Sequence, residues 1–205
     1  MLGFPKAFDD MRVGLLGGSF DPPHAGHVHI TRQALRRFGL DRVWWLVSPG
    51  NPLKANGPAP IEKRMAACRE IMQHPKVLVT DIEVKLGTRF TADTVEALQG
   101  VYPNVKFVWL MGADNLASVH KWDRWEWIFE NVPIGVTSRP EEHPKAAGSK
   151  AAMKYRAARL PVLSAKRLPF QKPPAWCLLD GPAVDISSTG IRESGDWVNN
   201  GFNES

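Results

Sequence analysis

Six short apolar runs punctuate the chain: Val13–Leu16, Val43–Val47, Val77–Thr80, Val105–Met111, Ile134–Thr137 and Trp176–Leu179. Runs this short and this continuous read as strands buried on both faces. Between most of them the apolar positions recur at helical spacing. That spacing predicts helices over His27–Phe38, Ile61–Gln73, Thr91–Gln99 and Asp123–Glu130, an alanine-rich one over Ala146–Leu160, and a last one opening at Ser188. Strands alternating with helices predict an α/β fold with a doubly wound, mainly parallel sheet and helices on both faces. Ligands of such sheets bind at the carboxyl ends of the strands, beside the switch in strand order. No internal repeat is visible, and the proline-rich loops Pro49–Pro60 and Pro169–Pro174 are too short to separate units, so a single domain over 1–205 is expected.

Composition agrees with one enzyme-sized domain: 205 residues can bury a core, and 17 Gly with 17 Pro is not a disordered composition. Cys68 and Cys177 lack metal or CxxC spacing and sit in apolar surroundings, which predicts buried thiols. The segment from Met1 to Met11 mixes Lys6, Asp9 and Asp10 among apolar residues, and no apolar run approaches the ~18 residues of a membrane span. A soluble protein of a reducing compartment, cytoplasmic and without a membrane partner, is the expectation.

The formal net charge of +5 raises the question of nucleic acid, and its distribution answers it. Eight Lys or Arg and no acid fall between His143 and Ala175, leaving 18 basic against 21 acidic residues elsewhere, a net of −3. The basicity belongs to one insert, and no nucleic-acid partner is expected. The Ala146–Leu160 segment reads as a solvated surface helix or as a patch for anionic substrates or lipids.

The chemistry concentrates in Gly17-Gly18-Ser19-Phe20-Asp21-Pro22-Pro23-His24-Ala25-Gly26-His27, where the first strand hands over to the first helix. Glycines there let backbone N–H groups approach an anion, the helix N-terminus adds roughly half a positive charge, and His24 and His27, three apart, can face one point. A second anchor is Ile186-Ser187-Ser188-Thr189-Gly190-Ile191-Arg192. Ser and Thr at a helix start cap its N–H groups, and an arginine one turn later offers a two-pronged donor to phosphate oxygens. Trp125 belongs with Ile128 and Phe129 on a core-facing stripe, whereas Trp122 precedes that helix and is freer to stack on a ligand.

The opening segment resembles the GG[ST]FDPxHxGH signature of the nucleotidyltransferase superfamily, and the second anchor its ISSTxIR signature. Over nearly its whole length the chain resembles bacterial nicotinate-nucleotide adenylyltransferases. Asn51-Pro52-Leu53-Lys54 is similar to that family's proline-rich loop ending in a basic residue. Phe90-Thr91-Ala92-Asp93-Thr94 is similar to its [YF]TxxT segment, Gly112-Ala113-Asp114 to its GxD, Trp122 to its stacking tryptophan and Arg139-Pro140 to its RP pair. Ser19 stands where threonine is commoner and keeps the hydroxyl.

The resemblance implies a Rossmann-like nucleotidyltransferase fold and transfer of AMP from ATP to nicotinate mononucleotide, with Mg²⁺ accompanying ATP. It assigns catalysis to His24, His27 and Arg192. ATP phosphates fall to Gly17, Gly18, Ser19, Phe20, Lys54, Ser188 and Thr189, and the nicotinate nucleotide to Thr91, Ala92, Asp114, Trp122 and Asp123. The backbone amides of Ala92 and Asp123 grip the pyridine carboxylate. Lys54 and Asp114 could equally be solvated loop charges, and Asp21 reads as a brace of the turn. A transition-metal site of His24, His27 and His29 is disfavoured because His29 projects about 200° from His27 around a helix. No protein-ligated metal is expected, and the chain could be monomeric or a homo-oligomer. Pantetheine-phosphate, nicotinamide-nucleotide and cytidylyl transfer are rivals within the class, and a nucleotide-binding regulator is the rival outside it.

Overall fold

The computed structural model describes residues 3–49, 57–138 and 143–180. Six strands, β1 (Arg12–Gly18), β2 (Arg42–Val47), β3 (Val77–Thr80), β4 (Lys106–Gly112), β5 (Ile134–Ser138) and β6 (Trp176–Asp180), form one sheet in the order β3-β2-β1-β4-β5-β6. Every registered pair is parallel. The strand order reverses between β1 and β4, so the crevice beyond Gly18 and Gly112 is the topological switch point of a doubly wound, Rossmann-like α/β fold.

Alternate strand residues enter two cores. Val13, Leu15, Trp44, Trp109 and Met111 face a layer built from α3 (Ile82–Leu86), α4 (Thr91–Val101), α5 (Ala113–Ser118), α6 (Trp125–Asn131), α7 (His143–Ala147) and α8 (Lys150–Lys154). Leu16, Val43, Trp45, Val108 and Leu110 face α1 (Ala25–Arg37), α2 (Ile61–Ile71) and a 3-10 stretch over Val162–Phe170. Both faces are covered, which is why the strands read as continuous apolar runs.

All six expected strands are present to within two residues at either end. The helices need correction. α1 begins at Ala25 rather than His27, because the His24 side chain caps it. α6 begins at Trp125 rather than Asp123, because Arg124 adopts a left-handed φ of 48° that no helix continues through. The expected helix Ala146–Leu160 is broken: α7 ends at Ala147, and Ser149 opens α8 by accepting from the Ala152 N–H at 3.3 Å. It is not a solvated surface helix, since Ala146, Ala151, Ala152 and Tyr155 lie in the core and Tyr155 stacks on Phe129 at 4.7 Å. Four elements had no expectation: α3, α5 and the 3-10 stretches Val119–Lys121 and Val162–Phe170. Cys68 and Cys177 are buried thiols, their pKa values pushed up by burial to about 12 and about 11. Among the described residues no helix is long and apolar enough to cross a membrane.

Candidate active site

β1 delivers Gly17 and Gly18 to the carboxyl edge of the sheet. A Cβ on Gly17 would lie 2.6 Å from Cη2 of Trp109, so this glycine is required by the ring on the neighbouring strand as well as by the turn. The chain then turns through exposed Ser19 and through Phe20 at φ 50°. That unfavourable backbone is offset by burial of the Phe20 ring, which stacks on Trp45 at 4.9 Å and meets His27 at 4.7 Å. Phe20 can therefore serve an anion only through its backbone N–H, because its side chain is core.

His24 and His27 replace the Ser and Glu of a capping box. His24 Nδ1 accepts from the Gly26 N–H at 3.1 Å, and His27 Nδ1 accepts from the His24 N–H at 3.2 Å. With both Nδ1 atoms accepting, the proton of each neutral ring resides on Nε2. The two rings lie 4.0 Å apart, so the pair converges as its spacing suggested. Below them Thr31 ties the helix to the sheet, donating to the His27 carbonyl at 2.8 Å and accepting from Trp45 Nε1 at 2.7 Å. Burial, then the neighbouring His24, lowers the His27 pKa to about 3, and the ring is neutral at physiological pH. His27 thus presents an Nε2–H donor, not an imidazolium cation. His29 does not join the pair: its Nε2 is buried without a hydrogen-bond partner.

Asp21 is buried and accepts from the Ala59 N–H at 3.3 Å, a brace across the turn. Across the switch, β4 ends at Gly112, where a Cβ would collide with Oδ1 of Asp114. The glycine thus makes room for the exposed carboxylate of Asp114, folded back over the β4 terminus.

A second group gathers at the start of α4. Its N-cap, Phe90, supplies no side-chain acceptor, so the first-turn amides at Thr91 and Ala92 have no capping partner. Arg124 bonds Asp93 at 3.0 Å and Glu96 at 2.9 Å, drawing the segment with half-buried Trp122 and exposed Asp123 against that turn. These ion pairs tie Arg124, which directly follows Trp122 and Asp123, to the first turn of α4, which begins with Thr91 and Ala92. Trp125 packs edge-on against Phe129 as core. Lys54, Arg139, Pro140, Ser188, Thr189 and Arg192 lie outside the described residues.

Three residues escaped the sequence reading. Arg64 is 1% exposed and donates to the Ala59, Ser19 and Ser48 carbonyls at 2.6, 2.6 and 2.8 Å. Its signal was a charge on the buried stripe of α2, four residues before Cys68. Arg124 gave no signal, because its partners come from α4. Glu83 on α3 is buried, with Oε2 unpartnered, and burial raises its pKa to about 7 despite a long contact from Thr94 Oγ1 at 3.4 Å.

A glycine turn at the switch point with two histidines at the helix start beyond it has the chemistry to receive phosphate oxygens. The cytidylyltransferase-like family matches residues 15–194. A Ruegeria pomeroyi protein named "Probable nicotinate-nucleotide adenylyltransferase" is 58% identical over 195 residues, covering 95% of this chain and 92% of that relative. A Cereibacter sphaeroides protein of the same name is 60% identical over 187 residues, 91% of this chain and 99% of its own. The chain belongs to the nicotinate-nucleotide adenylyltransferase family. Its fold matches that of the Plasmodium falciparum nicotinic acid mononucleotide adenylyltransferase complexed with NaAD, with a TM-score of 0.66 at 18% identity over 89% of this chain and 83% of that one. The same Plasmodium enzyme complexed with APC gives 0.64 over the same shares.

Proposed function

We propose that the protein transfers the AMP moiety of ATP to the 5′-phosphate of nicotinate mononucleotide, giving deamido-NAD and pyrophosphate. The observation that carries this reading is the pair of imidazoles of His24 and His27, 4.0 Å apart and pinned through Nδ1 at the glycine turn of the switch point. A 5′-phosphate, with a second pKa near ~6, is mostly dianionic at neutral pH and attacks without a strong general base. One of its oxygens bonds to the α-phosphorus as the bond to the β-bridging oxygen breaks and pyrophosphate leaves. The protein's part is positioning and charge stabilisation.

His24, His27, the Ser19 hydroxyl and the backbone amides of Ser19 and Phe20 hold the α- and β-phosphates, with Gly17 and Gly18 shaping the approach. By the resemblance of their motifs, Lys54, Ser188, Thr189 and Arg192 hold phosphates from the other side. Trp122 stacks on the pyridine ring, the Ala92 and Asp123 amides with Thr91 receive its carboxylate, and Asp114 takes a ribose hydroxyl. Among the described residues no group of three His, Cys, Asp or Glu could hold a metal ion. By the family resemblance Mg²⁺ would come with ATP, held by its phosphates, and would supply charge neutralisation there.

Pyrophosphate release from Mg-ATP with nicotinate mononucleotide, its amide counterpart and phosphopantetheine in parallel tests the reading. The acid is expected to win in kcat/KM by at least about tenfold, since an amide N–H facing a backbone donor leaves a buried group unpaired. Trp122→Ala is expected to cost activity on the acid while sparing ATP affinity. Turnover of phosphopantetheine alone would overturn the assignment.

A further inference from the structure

We infer that Arg64 is a positioning residue for the phosphate turn, setting the direction of the Phe20 amide and through it the affinity for the polyphosphate of ATP. Three carbonyls from separate segments converge on this one guanidinium: Ser19 in the turn, Ser48 beyond β2 and Ala59 before α2. A trans peptide holds its C=O and N–H on opposite sides. The Ser19–Phe20 bond is trans, since the cis bonds of the described chain are Asp21–Pro22 and Pro173–Pro174. With the Ser19 carbonyl drawn inward to buried Arg64, the Phe20 N–H is aimed outward, to the side on which Ser19 is exposed. The preceding peptide is set likewise: the Gly18 carbonyl accepts from the Ser48 N–H at 3.0 Å, which turns the Ser19 N–H away from β2. Successive amides fixed outward in this way form an anion-binding concavity.

A guanidinium suits the task because its planar fork serves several acceptors at once and stays charged when buried. Asp21 opposes the effect of burial on it electrostatically, and the same carboxylate accepts from Ala59, so charge and carbonyls close into one network under the turn. A lysine could reach one or two of the three carbonyls and a methionine none. The Ser19 peptide would then be at liberty to rotate, and the Phe20 amide would lose its aim.

The inference rests on the function proposed above, and the test separates the two. Arg64→Lys and Arg64→Met are compared with wild type by calorimetric titration of a non-hydrolysable ATP analogue and of pyrophosphate, alongside KM for each substrate and thermal melting. Arg64→Met is expected to weaken both polyphosphate ligands by roughly tenfold or more, the loss of one well-aimed charge-assisted donor. KM for the nicotinate nucleotide is expected to move far less, with Arg64→Lys intermediate. A purely structural role lowers the melting temperature but leaves polyphosphate affinity per folded molecule unchanged; that result, or equal losses for both substrates, overturns the inference. Should Arg64→Met not fold, Arg64→Lys carries the same comparison. Wild type that binds neither polyphosphate would refute the proposed function; wild type that binds them while both variants bind equally well would refute the role of Arg64 alone.

Discussion

Acidification is the sharpest probe of how His27 is held. Burial lowers its pKa from 6.5 to about 3, so the folded state resists a proton that the unfolded chain accepts below pH 6.5. The contribution to stability is whole above pH 6.5 and is lost as pH falls toward 3. A shift from 6.5 to about 3 corresponds to ~5 kcal/mol at ~1.4 kcal/mol per unit. The ring retains some solvent contact, and screening reduces the expected effect to about 2–3 kcal/mol. His27→Gln keeps a polar side chain without the titration. Urea unfolding of wild type and His27→Gln between pH 7.5 and 4.5 should therefore give stability curves that converge as pH falls, wild type losing the extra amount. Carboxylates contribute equally to both and cancel in the difference. Imidazole NMR should show His27 unprotonated at pH 5 in the ligand-free protein, with its titration moved upward by pyrophosphate, whose negative charge favours the imidazolium. A His27 that titrates near 6.5 without ligand, together with parallel stability curves, would falsify the argument that Nε2–H acts as a neutral donor.

Gly17→Ala places a methyl 2.6 Å from the buried Trp109 ring and should destabilise by about 1–3 kcal/mol in chemical denaturation, with Trp109→Leu restoring part of the loss; additive costs would sink the steric account. Glu83 carries a carboxyl raised from 4.5 to about 7, so wild-type stability falls as pH rises through that window; Glu83→Gln should be the more stable protein at pH 8, by on the order of 3 kcal/mol, and no more stable at pH 4. Arg124→Ala removes two solvent-exposed ion pairs and should leave the midpoint of urea unfolding nearly unchanged. The same substitution should raise KM for the nicotinate nucleotide severalfold at constant KM for ATP, and equal rises for both substrates would refute its role in joining α4 to the Trp122 segment.

Much of this protein is determined locally, and that part was legible in the chain. Strands covered on both faces must be apolar throughout, so β1 to β6 stood out as runs, and the alternation with helices left a doubly wound sheet as the economical arrangement. The turn from Gly17 to His27 was legible for the same reason: glycines, a helix start and two histidines three apart act within one segment, and their capping geometry needs no distant partner. Helix boundaries failed where one residue's conformation outweighed the average of its neighbours, as at Arg124 with its left-handed backbone and at Ser149, whose hydroxyl starts a new helix where alanine-rich spacing suggested continuity. Only the tertiary structure decided the roles of Arg64, Arg124 and Glu83. Each is defined by partners from other elements, carbonyls on three segments, carboxylates on α4, or a core that denies a carboxylate its water. A charge in a sequence carries no mark of what will surround it. The dielectric and the hydrogen-bond partners that set its pKa and its function arise when the sheet brings segments together, and those long-range contacts leave no local pattern to read.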